Sequence, residues 1–148
     1  MRLAAKTEYA LKTLIELGLR EPGVAVRVAE IAQKHGIPRD FLEQILLALR
    51  NSGIVESQRG VQGGYRLTPD AAGVSLAAIL GAVGDPICHS RDGRGDGAAP
   101  REAVERVIAG VFRGLNNDLR SRLDAVSLGD LCDQARRQVD CAGVNYTI

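Results

Sequence analysis

The sequence predicts a mainly α protein with a small β wing, and three observations predict it. Residues 26–67 read VRVAEIAQKHGIPRDFLEQILLALRNSGIVESQRGVQGGYRL, two short amphipathic segments around a tight break at Gly36-Ile37-Pro38. A second break, Asn51-Ser52-Gly53, leads into two β-prone runs joined by a glycine-punctuated turn. From Pro100 onward, apolar residues recur at three- and four-residue steps over a long stretch, the period of one helical face. Helix, turn, helix and a two-stranded wing make a winged helix-turn-helix; the long C-terminal helix, carrying its own apolar stripe, is expected to dimerise.

Each element follows in order. Leu3 to Arg20 is the first helix, with Leu3, Ala10, Leu11, Leu14, Ile15 and Leu17 largely on one face, and Glu21-Pro22-Gly23 ends it. Val26 to His35 is the second, with Val28, Ala29, Ile31 and Ala32 inward and Gly36 as a left-handed stop. The third runs from the first turn at Pro38 to about Asn51. It buries Phe41, Leu42, Ile45, Leu46 and Leu49 and shows Arg39, Asp40, Glu43, Gln44 and Arg50 outward. Ile54 to Gln58 and Tyr65 to Leu67 are the wing strands, linked through Arg59-Gly60-Val61-Gln62-Gly63-Gly64. Ser75 is an N-cap for a short helix to about Val83. Gly84 to Pro100, rich in glycine and charge, reads as an exposed loop. The long helix extends from Pro100 to about Leu123, its stripe formed by Val104, Val107, Ile108, Val111, Phe112, Leu115, Leu119 and Leu123. Such a stripe needs a partner, either its own domain or a second copy across a two-fold axis. Ser127 caps a last helix to about Gln138. The expected organisation is a reading domain over 1–83, a loop over 84–99, and a dimerisation helix with a C-terminal helix over 100–148.

Composition narrows the function classes. Hydrophobic residues are 45% of the 148, but aromatics only 3%, so the core must be aliphatic. No apolar run is long enough to span a membrane, and the N-terminus has no signal-peptide pattern, so a cytoplasmic location is expected. The net charge of +1 divides unevenly: +3 over residues 1–67 and −2 over 68–148. The half with the helix-turn-helix is the basic one, in the direction that phosphate contact requires. Three widely spaced cysteines, Cys88, Cys132 and Cys141, form neither a disulfide framework nor a zinc pattern. No nucleophile–base pair, phosphate loop or paired catalytic carboxylates stand out, so no enzyme is expected.

The segments MRLAAKTEYAL, VAEIAQKHGIPRDFLEQILLALRNSGIV, RGVQGGYRL and VSLAAILGAV resemble the IscR/NsrR/CymR family of bacterial winged-helix transcription regulators, the Rrf-two type. The LEQIL run followed by RG-x-x-GGY at this spacing is the specific part. Val61-Gln62 departs from the family's RGPGGGY-like wing. The resemblance implies the fold, dimerisation through the long helix and binding to promoter DNA, most simply as a repressor, which needs only to occupy its site.

A recognition helix offers its N-terminal and outward side chains to base edges. Here these are Arg39, Asp40, Glu43 and Gln44: Gln pairs with adenine, Arg with guanine, and Glu accepts from cytosine N4. The resemblance assigns reading to the positions of Asp40, Glu43 and Gln44, with Asp40 replacing a small hydroxyl residue. Arg59, on the wing with Gln58 and Gly60, is placed to enter a narrow minor groove; Arg50 and Arg2 are candidate phosphate contacts. The bland alternative for each is an ordinary solvated surface residue.

Many members of this family carry an iron–sulfur cluster on three cysteines in the loop before the dimer helix, thiolates being soft ligands for iron. Only Cys88 lies in that loop here. The resemblance leaves one sparser ligand set for a [2Fe-2S] cluster, Glu8, His35 and Cys88 completed across the dimer, with His89 as a spare and Lys12 where a further histidine would stand. Thiol redox sensing at Cys88, a protein effector and a small molecule near the dimer helices stay open. The alternative function is a winged-helix protein-interaction module that does not bind DNA.

Overall fold

Aliphatic side chains at helical spacing decide where this chain packs. The structure, a computed structural model, describes residues 3–85 and 102–144, with side chains through residue 142. Arg2, Cys88, His89 and nearly all of the loop expected over 84–99 lie outside the described residues.

Among the described residues, six α-helices and one two-stranded sheet follow in order. Helix α1 (Ala5–Gly18) buries Ala10, Leu14 and Leu17. Helices α2 (Val28–His35) and α3 (Arg39–Asn51) form the helix-turn-helix. Strands β1 (Val55–Gln58) and β2 (Gly64–Leu67) pair antiparallel, Val55 opposite Leu67 and Gln58 opposite Gly64. A 3-10 turn at Ala71–Gly73 precedes α4 (Leu76–Ala82), and α5 (Ala103–Asp124) and α6 (Leu128–Val144) follow.

The core is aliphatic, as the composition demands. Leu14, Ile31, Leu42, Ile45, Leu46, Leu49, Ile79 and Leu128 are its largest fully buried side chains. Tyr9 and Phe41 meet edge to face at 5.9 Å on its margin. Helices α2 and α3 end the same way: Gly36 (φ 62°) and Gly53 (φ 73°) turn left-handed. The next N–H then returns to a carbonyl five residues back, Ile37 to Ala32 at 2.9 Å and Ile54 to Leu49 at 3.0 Å. Ile37 and Ile54 are themselves buried, the apolar contact that accompanies this helix stop. Ser75 accepts from the Ala78 N–H at 3.2 Å, as expected of an N-cap. Ser127 does more: its N–H and hydroxyl donate to Asp130 at 2.9 and 2.8 Å, and its Oγ accepts from the Asp130 N–H at 3.1 Å, a reciprocal capping box.

Four departures from the sequence expectation have physical causes. Helix α2 begins at Val28, not Val26, because Val26 is committed to the wing: its N–H and C=O both bond to Tyr65, at 2.8 and 2.9 Å. Ala29, expected inward, is exposed, since Ile31 alone fills the core from this short helix. Pro38 sits one position before α3 with ψ 128°, and its carbonyl takes the Leu42 N–H at 2.9 Å. Helix α6 runs past Gln138 to Val144 and packs on α1 and the 3-10 turn rather than along α5. Leu128 and Cys132 enter the core there, and Arg136 donates to the Gly18 carbonyl at 2.5 Å.

Glu16 joins α1 to α2 through charge. Its carboxylate is buried yet meets Arg20 at 3.1 Å, Lys34 at 2.8 Å and His35 at 3.3 Å. Burial opposes its ionisation. The hydrogen bonds and charges of Lys34, His35 and Arg20 together outweigh that and hold the carboxyl below its ordinary value. A depressed carboxyl contributes stability above its unfolded pKa and loses it as pH falls through the folded one. Acid unfolding should therefore remove this contribution progressively below about pH 4.5. Glu16→Gln should cost on the order of 1–3 kcal/mol at neutral pH and flatten that acid limb in urea titrations at stepped pH. In the core, Leu46→Ala should cost about 2–5 kcal/mol, while the adjacent exposed Leu47→Ala should stay within about 0.5 kcal/mol of the parent, by the same urea midpoints.

Candidate nucleic-acid interface

Helix α3 has two sides of opposite chemistry. Leu42, Ile45, Leu46 and Leu49 are buried, which turns Arg39, Asp40, Glu43, Gln44 and Arg50 out to solvent. All five residues expected on the outward face are therefore there. Arg39 and Glu43 are already engaged with each other, Nε to Oε1 at 3.0 Å. This exposed pair must open, or act as one donor–acceptor unit, for either side chain to reach a base edge.

The wing stands beside this surface and is fastened at two levels. One residue pair in from the turn, Val26 is joined to Tyr65 by a single β-bridge. The approach is so close that a Cβ on Gly64 would lie 2.3 Å from the Val26 carbonyl oxygen, so only glycine fits. At its tip Arg27 donates to the Val61 carbonyl at 2.7 Å. Between these points the turn closes through Gly63 N–H to Gly60 O at 2.9 Å, with Gly60 at φ 105°. Gln58, Arg59 and Gly60 are all exposed. A cleft of about 450 Å³ runs between the wing and the helix-turn-helix, lined in part by Arg27, Arg39, Gly60 and Gly63. Cationic side chains beside backbone N–H groups of a glycine turn suit phosphate oxygens.

Arg27 and Leu47 belong to this surface without a clear signal in the sequence, and Val61, there a departure in the wing, takes part through its carbonyl. Arg27 had a weak signal, a base just ahead of a helix-turn-helix. Its partner lies 34 residues away, beyond any local pattern.

Of the sparse cluster set, the two described members, Glu8 and His35, are not brought together. Glu8 is exposed and paired with Lys12 at 2.7 Å. His35 faces Glu16 at 3.3 Å, eight residues beyond Glu8 on α1, about 12 Å along a helix axis. Among the described residues no group of three His, Cys, Asp or Glu side chains is placed to hold a metal ion. Of the other thiols, Cys132 is buried, with Sγ where a Cβ on Gly18 would fall. Burial pushes its pKa up; Arg136 opposes that and Asp133 adds to it. No described helix is long and apolar enough to cross a membrane.

Comparison with known proteins agrees with this geometry. The model of the Rrf2 family, described as iron-dependent transcriptional regulators, matches residues 3–134. Rv1287 of Mycobacterium tuberculosis is 35% identical over 136 residues, 91% of this chain and 83% of its own. The HTH-type transcriptional regulator IscR of Escherichia coli is 29% identical over 148 residues, 99% of this chain and 89% of its own. Among solved structures, CymR, the global cysteine regulator of B. subtilis, superposes with a TM-score of 0.71 at 25% identity, covering 90% of this chain and 98% of that one. The match spans both the reading surface and α5, and the chain belongs to the Rrf2 family: it is a helix-turn-helix DNA-binding transcription regulator and not an enzyme.

Proposed function

We propose that the protein acts as a homodimer paired through α5, occupying promoter DNA as a repressor. The observation that carries the pairing is α5 itself. In the single chain this 22-residue helix buries no residue. Val104, Val107, Ile108, Val111, Phe112 and Leu115 stay 53–67% exposed on one side. A continuous apolar stripe of this length does not stay in water in a soluble regulator, and a second copy related by a two-fold axis covers it with an identical stripe. Each copy then brings its α3 to the duplex, and half-sites about one helical turn, roughly 34 Å, apart match such a pair. The domain limits follow: residues 1–83 read, α5 pairs, and 84–99 link them.

Within each half-site, Arg39, Asp40, Glu43 and Gln44 address base edges in the major groove. Arg59, at the tip of a wing held by Arg27, enters the adjacent minor groove. Arg50, and Arg2 outside the described residues, contact phosphates. What supports this reading is the shared outward aspect of α3 and the wing, together with the family. The protein reaches DNA in the cytoplasm.

For a signal, a [2Fe-2S] cluster on Glu8, His35 and Cys88 would need ligands from both protomers, because Glu8 and His35 do not meet within one. Iron and sulfide analysis of anaerobically purified protein decides this: colourless, iron-free protein removes the cluster and leaves a thiol, small-molecule or protein effector.

Phe112→Glu should convert the dimer to a folded monomer in sedimentation equilibrium and weaken operator binding at least ten-fold. A monomeric parent protein would overturn the pairing. Arg59→Ala should weaken binding about ten-fold and, where Arg59 meets the phosphates that border the minor groove, lower the slope of log K against log salt by about 0.9. Binding and slope both unchanged would remove the wing from the interface.

A further inference from the structure

One residue on the outward side of α3 is explained neither by the core nor by a polar surface. Leu47 is 46% exposed, while its neighbours Leu46 and Leu49 are wholly buried. At 100° per residue, Arg39, Arg50, Glu43, Leu47, Asp40 and Gln44 follow one another across an arc of about 140°, and Leu47 sits close to its centre. A lone exposed leucine is unremarkable elsewhere on a protein. Here it occupies the middle of the side that faces the floor of the groove.

The floor of the major groove offers donors, acceptors and a single apolar group, the C5-methyl of thymine. A leucine has no hydrogen-bonding atom. Pressed against guanine O6/N7, adenine N6 or cytosine N4, it would strip those groups of water and return nothing, an uncompensated polar burial. Against a thymine methyl it buries apolar surface on both sides. Resting on the reading of α3 as the base-contacting helix, we infer that Leu47 is a specificity-determining residue that selects thymine. It lies one helical turn beyond Glu43 and three residues beyond Gln44, about 5 Å along the helix. The thymine it selects is therefore one or two base pairs from those Glu43 and Gln44 address, at 3.4 Å per base pair. Rejection of the other bases is as much a part of its selectivity as attraction to the methyl.

The test uses the full-length protein and a random duplex pool. Sequences retained by the parent protein are recovered, and each thymine of the resulting site is replaced singly by deoxyuridine, which deletes only the methyl. Anisotropy titrations should show one position per half-site at which uracil weakens the parent protein about four-fold, the worth of one buried methyl-sized group. Leu47→Ala and Leu47→Ser should each bind the thymine and uracil duplexes equally, with thermal melts and the Arg59 dependence unchanged. The inference is overturned if no uracil position weakens the parent protein. It is equally overturned if the uracil penalty persists in both variants, or if both variants change oligomeric state, which would make Leu47 a protein contact. A pool that yields no retained sequence would strike the duplex-binding reading itself and this inference with it. A site recovered without a uracil effect would strike only the assignment of Leu47.

Discussion

The two reading elements of this molecule keep a fixed relation because of one backbone pairing. Val26 bonds to Tyr65 through both its amide and its carbonyl, so the segment entering α2 is bridged to the wing sheet. A hairpin of two four-residue strands has marginal stability alone. Tied to the segment ahead of α2, it becomes part of the same body as α3, whose stop at Gly53 delivers the chain directly into β1. Gly64 permits this approach where any side chain would meet the Val26 carbonyl. The glycine run of the wing thus serves the fit of two backbones, and the placing of a cation at the tip follows from that fit.

Much of this was legible in the sequence because it obeys local periods. The buried and exposed sides of α3, the glycine stops after α2 and α3, the Ser75 cap and the wing strands all follow from residues a few positions apart. What escaped depends on partners distant in the chain. Val26 has apolar, β-branched character that suits a helix entry or a strand equally, and only Tyr65 decides. The Arg27–Val61 contact spans 34 residues. The turns of α6 beyond Gln138 lack an apolar stripe to mark them in the sequence. Leu47 carries no such local signal, because the inward set of α3 is complete without it.

Leu47 and the α5 stripe share one logic. The described residues hold no buried side-chain polar atom without a hydrogen-bond partner, and the aliphatic core is closed. Against so well satisfied a chain, apolar groups left in water stand out as surface awaiting something else. On α5 they form a long continuous band, which suits another protein helix. On α3 there is a single side chain framed by charges, which suits a small apolar feature in a polar landscape. Size and setting, more than hydrophobicity itself, separate the two uses.

Helix α6 lies far from α1 in the chain, yet it closes against it. Leu128 and Cys132 complete the core, and Arg136 clasps the end of α1 from 118 residues away. During synthesis the whole of α5 emerges before that closure is available. A nascent chain therefore exposes its adhesive helix while Leu17 and Gly18 still lie uncovered, the interval in which such chains are open to misassembly. Because this seal is so long-range, α1 cannot settle until α6 has been made, and loss of α6 by truncation or proteolysis would unseat α1.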